Sequence, residues 1–225
     1  MIGYAFHLHS QQWLDESIYT IQHDDSVIWK HWVWLWVPQG VKVDQDLIDS
    51  CIFLIDGGKN RSTPPSENKD YVKIGKFLSL ITGSMFAFIE QIPNEHLVFK
   101  NDWKNSRTED CKCRTEVSSI IEFASSLIVI FFSAIIALTW HHFLDYPDQP
   151  EWLLRFPMVK ASLRAMDMIS EFSETTLGGP KISRWGVLGG SKRGWVTWLL
   201  GAVDPERVKV RSRFRQETTD RYLNR

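Results

Sequence analysis

The run Ser183-Arg184-Trp185-Gly186-Val187-Leu188-Gly189-Gly190-Ser191-Lys192-Arg193-Gly194-Trp195 is where this chain could do chemistry. A short apolar stretch ends in two glycines and a serine, and a helical pattern begins at once. Trp195, Trp198, Leu199, Ala202 and Val203 recur at helical spacing on one face before Asp204-Pro205 stops the helix. The implied order is strand, sharp turn, helix. A serine at the tip of such a turn has its hydroxyl pointed out of the sheet toward the helix N-terminus, which is the geometry of a nucleophile elbow. The strict form Gly-x-Ser-x-Gly is missed by one residue: Gly189 stands two before the serine, Arg193 stands two after it, and the glycine comes at Gly194. The same residues also fit an ordinary strand-to-helix turn with Ser191 as N-cap.

An acyl-transfer site needs donors for the oxyanion as well as a nucleophile. The apolar run 51–55 ends in Asp56-Gly57-Gly58-Lys59-Asn60, so Gly57 and Gly58 expose backbone N–H groups at the end of a strand. With the N–H of Lys192, the residue after the serine, they form a candidate oxyanion hole. The alternative for the glycine pair is a plain turn. A nucleophilic serine also needs a base and a carboxylate to orient it. In hydrolases built on an elbow these follow in the order Ser, Asp or Glu, His. All seven histidines, His7, His9, His23, His31, His96, His141 and His142, precede Ser191, and the carboxylates after it are Asp204, Glu206, Glu217 and Asp220. The expectation is a nucleophile and an oxyanion loop without the downstream half of a triad, and loss of the base costs many orders of magnitude in rate. His141-His142 is the substitute base to consider, although such a pair after an apolar run is ordinarily a surface or core polar pair.

The elements that must position these groups read as follows. Stretches 4–9, 17–22 and 27–37 alternate with period two and are rich in aromatic and β-branched residues, so they predict strands, the last with Trp32, Trp34 and Trp36 on one side. Residues 60–70 are polar and contain proline, a surface loop, in which Asn60-Arg61-Ser62 would accept a glycan only on a secretory route. Residues 72–92 predict a helix or strand near the core, without a clear period, ending at Pro93. From Pro157 a long helix is signalled, with Met158, Ala161, Ala165, Met168, Ile169 and Phe172 on one face and Gly178-Gly179-Pro180 closing it. A methionine stripe of this kind is core rather than a cofactor box.

The chain has 225 residues, enough for one sizeable domain, and a formal charge of -1, which gives no pull toward nucleic acid or an anionic membrane. Eleven tryptophans supply large apolar area. Cys51, Cys111 and Cys113 make no disulfide framework, and Cys-x-Cys is not the usual zinc or redox spacing. Cys51 opens an apolar run and reads as a buried thiol. No metal or organic cofactor is indicated. Met1-Ile2-Gly3-Tyr4 lacks the basic and apolar regions of a secretory signal, so the chain as it stands is expected either to remain inside the cell or to lack its first exon.

Two stretches fit this domain poorly. Residues 120–138 are nearly all apolar and approach the length of a membrane span. They lie between soluble-looking segments with no basic cluster after Leu138, so a buried or disordered insertion is expected rather than a span. Arg207, Lys209, Arg211, Arg213 and Arg215 occupy alternate positions. A strand following the elbow helix belongs inside a parallel sheet and should be apolar throughout. Either the sheet ends here in a solvated tail, or the reading of the gene changes just after Val208. A nucleic-acid arm is the sharper alternative, and a run this short is usually only solvated.

With these motifs in hand, the chain resembles the PhoPQ-activated pathogenicity-related protein family. The resemblance is carried by Ser10-Gln11-Gln12-Trp13-Leu14, Trp29-Lys30-His31-Trp32, Ile55-Asp56-Gly57-Gly58, Gln91-Ile92-Pro93-Asn94, Arg107-Thr108-Glu109-Asp110, Ala137-Leu138-Thr139-Trp140, the run from Trp152-Leu153-Leu154-Arg155-Phe156-Pro157 through Ala161, and Gly190-Ser191-Lys192-Arg193-Gly194-Trp195. In that family Ser-Lys-Arg-Gly-Trp is the usual wording of the elbow, which removes the objection to Arg193. The resemblance implies an α/β-hydrolase-like, mostly parallel sheet, often in a secreted protein similar to serine peptidases and esterases. It divides the chain into 1–110, an apolar insertion at 111–136 that looks like read-through sequence, 137–208 with the elbow, and a basic tail at 209–225. Three functions are then expected: hydrolysis of a small ester or peptide in a fuller form, a secreted signal that represses proliferation by binding a cell-surface partner, or a truncated product without function.

Overall fold

The computed structural model describes residues 1–20, 27–40, 45–100 and 135–214. Its centre is a set of parallel strands. β3 (Ser50–Ile55) lies between β4 (Met85–Ile89) and β5 (Arg184–Gly190), parallel to both, with Ile55 opposite Ile89 on one side and Gly189 on the other. A strand with parallel neighbours on both sides is covered on both faces and must be apolar. Ser50-Cys51-Ile52-Phe53-Leu54-Ile55 meets that demand, with Phe53 and Ile55 buried on one face and Leu54 on the other. Outside them run the antiparallel arms β1 (Ile2–Gln12) and β2 (Ile28–Val37), paired from Ile2 with Val37 to Gln12 with Ile28. With β6 (Val208–Phe214) beside β5, the order is β1-β2-β4-β3-β5-β6, a mixed and mostly parallel sheet, and the chain is an α/β protein.

Alternation in β2 distributes its residues as expected. Trp29, His31, Val33 and Leu35 enter one core, while Trp34 and Trp36 stack on each other at 5.3 Å on the opposite face. That second face is covered by α1 (Asp70–Thr82), whose Val72 joins Trp36, Leu54, Phe86 and Phe88. The stretch 72–92 lacked a single period because it is two elements. α1 closes on Gly83 in the left-handed conformation (φ 72°) and β4 begins two residues later.

The first face is covered by α3 (Arg155–Thr175) and α4 (Ser191–Val203). From α3 come Met158, Ala161, Ala165, Met166 and Ile169, and from α4 Val196 and Leu200. Burying a leucine such as Leu200 stabilises by roughly 1.5–3 kcal/mol. Phe172 of α3 sits half-covered between Tyr4 and Phe6 in edge contact.

Two expectations, a strand at 17–22 and a tail after Val208, need correction. The described part of the expected strand 17–22, residues 17–20, is not a strand: a 3-10 turn, Glu16–Ile18, is capped by Asp15, which accepts from the Ser17 N–H, and Tyr19 forms an isolated bridge to Phe99. The tryptophan side of α4 does not pack on the sheet. Trp195 and Trp198 are 45% and 54% exposed, and the side turned to the sheet is Gly194, Val196, Thr197, Leu200 and Gly201. Small residues let α4 approach β5 closely, and indoles would not fit there. The run after Val208 is not a tail throughout, because β6 (Val208–Phe214) pairs in parallel with β5 as the last described strand. An edge strand tolerates charges that a central one would not. The expected insertion 111–136 lies outside the described residues up to 134, and α2 (Ile135–Asp145) begins where they resume. Most of the 120–138 stretch lies outside the described residues. Among those, no helix is long and apolar enough to cross a membrane.

Candidate functional site

β5 passes into α4 with no residue between. Gly190 is the extended cap (φ -91°, ψ 145°) and Ser191 is the first helical residue, with φ 50°. A non-glycine residue in that left-handed region costs about 1–2 kcal/mol, and such strain concentrates at functional sites. The two readings of this turn are thereby separated: Gly190, not Ser191, is the N-cap, and no side chain caps α4. Gly189 is demanded by the tightness of the bend. A Cβ there would stand 2.7 Å from the backbone C and O of Arg193, whereas one on Gly190 would meet nothing within 4 Å.

The bend sits at a reversal of the sheet. The chain leaves β3 toward α1 on one face, and leaves the neighbouring β5 toward α4 on the other. Two adjacent parallel strands whose connections diverge open a crevice at their carboxyl ends, where ligands of α/β sheets bind. Gly57 and Gly58 follow β3 at the same end of the sheet, where Ile55 stands opposite Gly189. Asp56 N–H donates to Ile89 O at 2.9 Å, Ile92 N–H to Asp56 O at 3.1 Å and Gln91 N–H to Gly57 O at 3.3 Å, so the loops after β3 and β4 are braided. Among the described residues the N–H groups of Gly57 and Gly58 have no acceptor. Arg193, the residue that breaks the strict motif, fastens the elbow to this braid. Its Nε donates to Ile92 O at 2.8 Å, and its guanidinium passes where a Cβ on Gly57 would lie, 2.1 Å from Nη2.

Beneath the glycine loop lies a charged brace that the sequence did not single out. Glu90 is fully buried, with Lys69 in ion contact at Oε1 and Arg61 Nη2 2.6 Å from Oε2, an ion contact rather than an aligned hydrogen bond. Tyr71 donates to Asp56 at 2.6 Å. Desolvation holds the Lys69 ammonium below its ordinary pKa, against the opposite pull of Asp56. A buried carboxylate is tolerated only with such partners.

Above the bend is a cavity of about 470 Å³ lined by Arg155, Ser191, Lys192, Trp195 and Trp198. Arg155 is 6% exposed; its Cζ lies 4.9 Å over the Trp195 ring, and Nη1 contacts Met158 Sδ at 3.3 Å. Trp140 of α2 continues the aromatic wall, 6.4 Å from Trp195. None of the described histidines lines the cavity. His31 is buried between Ser10 Oγ at 2.9 Å and Glu90 O at 3.2 Å, and burial lowers its pKa to about 3. His141 pairs with Asp145, and His142 stacks on Trp152 and contacts Gln149. His7 lies against Trp32 and His9, and His96 is exposed. Asp204, the first carboxylate after the elbow, accepts from Arg207. Burial raises the Cys51 thiol pKa, as its place in β3 requires.

Ser191, Gly57, Gly58, Lys192, Gly189, Gly190, Arg193 and Gly194 are thus gathered at one end of the sheet. Arg155 joins them from α3 without a spacing signal in the sequence, because only the fold brings the two helix starts together.

A mixed, mostly parallel α/β sheet presents a strained serine at its switch-point crevice. The chain belongs to the PhoPQ-activated pathogenicity-related protein family, whose sequence model matches residues 1–122 and 118–210. It is 32% identical over 208 residues to autocrine proliferation repressor protein A of Dictyostelium discoideum, covering 92% of this chain and 34% of that protein. The chain therefore spans about a third of that relative's length. No solved structure matches it.

Proposed function

We propose that Ser191 is the nucleophile of a serine-hydrolase-type site in an α/β-hydrolase-like fold, acting on an ester or peptide. The single observation that carries this is Ser191 at φ 50° on the turn from β5 to α4, beside the end of β3, where Ile55 pairs with Gly189 just before Gly57-Gly58. Attack joins Ser191 Oγ to the substrate carbonyl carbon, and the carbonyl oxygen takes the negative charge. That oxygen is met by N–H groups of the glycine loop and of Lys192 at the uncapped start of α4, where the helix dipole favours an anion. The hydroxyl proton passes to a base from outside the described cavity lining, the base gives it to the departing alcohol or amine as that bond breaks, and water then releases the acid from Ser191. The experiment is labelling of the folded protein with a fluorophosphonate, followed by peptide mapping. An adduct on Ser191 that unfolding abolishes is expected; a folded protein unlabelled at Ser191 refutes the reading.

A second reading is favoured by Trp140, Trp195 and Trp198, which stand open to solvent around the site. On this reading the protein is a secreted signal that works by binding at a cell surface, in line with the relative's name as a repressor of proliferation. Activity on cells that survives Ser191→Ala supports binding alone, and activity lost with that hydroxyl supports catalysis.

A further inference from the structure

The side of α4 turned away from the sheet carries the proposed nucleophile and two exposed indoles in one row. Ser191, Trp195, Trp198 and Ala202 recur at helical spacing, and the last three are exposed while Gly194, Val196, Thr197, Leu200 and Gly201 are buried. Side chains on a helix lean toward its N-terminus, so both indoles lean back toward Ser191. Accordingly Ser191, Trp195 and Trp198 line the same cavity of about 470 Å³. Trp198 stands about 10 Å from Ser191 along the helix axis, at about 1.5 Å per residue. Trp195 is held on its flank: the Arg155 guanidinium carbon lies 4.9 Å over the ring, and Trp140 stands 6.4 Å away and carries the wall outward. A wall fixed before binding loses little freedom when a ligand arrives.

From this row we infer that the site takes an ester or amide with a long apolar chain beside the scissile carbonyl, laid along α4 over Trp195 and Trp198. The inference deepens the proposed function and rests on Ser191 being the reacting group. A chain rather than a single ring matches the row, because the apolar surface runs about 10 Å beyond the hydroxyl. An extended peptide matches it less well. An indole offers one donor and no acceptor, so the N–H groups of a peptide would find no partner on it. Methylenes need none, and each gains by leaving water. Trp195 and Trp198 are specificity residues, and neither moves a proton.

The test is the rate at which Ser191 Oγ displaces fluoride from ethyl fluorophosphonates carrying a methyl, butyl or octyl group on phosphorus, each rate divided by that reagent's hydrolysis in buffer. With methylenes half-buried on an open wall the rate should rise about twofold for each, so octyl is expected to exceed butyl by about 10–20-fold. Trp198→Ala should bring that ratio to about threefold or less, since it strips the far half of the row. Trp198→Phe keeps a ring there and should hold the ratio well above the alanine value. Because Arg155 stacks on Trp195, Trp198→Ala stands alone if Trp195→Ala does not fold. Equal rates for butyl and octyl, or a chain preference that survives Trp198→Ala and any folded Trp195→Ala, overturn the inference while the labelling itself leaves Ser191 established. A flat chain series in a dimer that Trp198→Ala dissociates gives the row to a second copy and overturns it too. If Ser191 does not label at all, the nucleophile reading fails. N-methylbutanamide and N-methyloctanamide then titrate tryptophan fluorescence, where tighter binding of the longer amide, lost in Trp198→Ala, supports the apolar-chain site and equal binding overturns it.

Discussion

Gly189 and Gly190 are neighbours of the same type, yet the bend makes opposite demands on them. A methyl on Gly189 would stand 2.7 Å from the backbone C and O of Arg193, closer than non-bonded carbon allows, and no side-chain rotation relieves a clash with backbone. The first turn of α4 must move away from β5, an overpacking that costs about 1–3 kcal/mol. For a domain of this size 1 kcal/mol corresponds to roughly 2–4 °C, so Gly189→Ala should lower the melting temperature by about 2–12 °C. Gly190 has extended φ and ψ and nothing within 4 Å of an added Cβ. Gly190→Ala restricts the unfolded chain at no cost to the fold and should gain about 0.4–1 kcal/mol. The assay is thermal unfolding of both variants beside the parent, with fluorophosphonate labelling of Ser191 measured in each. Gly189→Ala is expected to be less stable and slower to label, and Gly190→Ala at least as stable as the parent. Melting temperatures that coincide, or the reverse order, would refute the bend as described.

Two other perturbations test the site and its support. Ser191→Gly removes a side chain from a left-handed position and is expected to stabilise the fold by about 1 kcal/mol while abolishing labelling; a variant less stable than the parent contradicts the strain at that residue. His31, with a folded pKa of about 3 against 6.5 for the unfolded group, stays neutral in the fold where the unfolded chain takes up a proton. Its contribution is present in full above pH 6.5 and falls as pH drops from there toward 3, by up to about 1.4 kcal/mol per pH unit. Urea midpoints between pH 7 and 5 should therefore decline more steeply in the parent than in His31→Gln, and equal slopes would show that His31 is not the buried neutral group.

The elbow was legible because its signals are local. Two glycines, a serine and a helical recurrence specify strand, bend and helix without reference to the rest of the chain, and β3 with its glycine pair is legible for the same reason. Which face of α4 meets the sheet was not, because hydropathy favours Trp195 and Trp198 while the sheet accepts Gly194, Val196, Thr197, Leu200 and Gly201, none as large as an indole. Size decided there, and size at an interface depends on what lies opposite. Residues 17–22 alternate like a strand, yet among the described ones, 17–20, only Tyr19 forms a strand-like bridge and Asp15 caps a turn instead. Residues 209–214 carry too many cations for a central strand, but pairing with β5 along one side suffices for an edge. Arg155 and Glu90 were silent because each matters through residues that are distant in sequence.

Arg193 has a broader implication through the space left by the absent side chain of Gly57. Because the guanidinium occupies that space and grips Ile92, a larger residue at 57 would push the arginine aside and loosen the elbow from both crossing loops at once. If Ser191 and the glycine loop act together as proposed, drift at either position alone would spoil their alignment, so lineages that keep this geometry must preserve the glycine and arginine together or exchange them in concert.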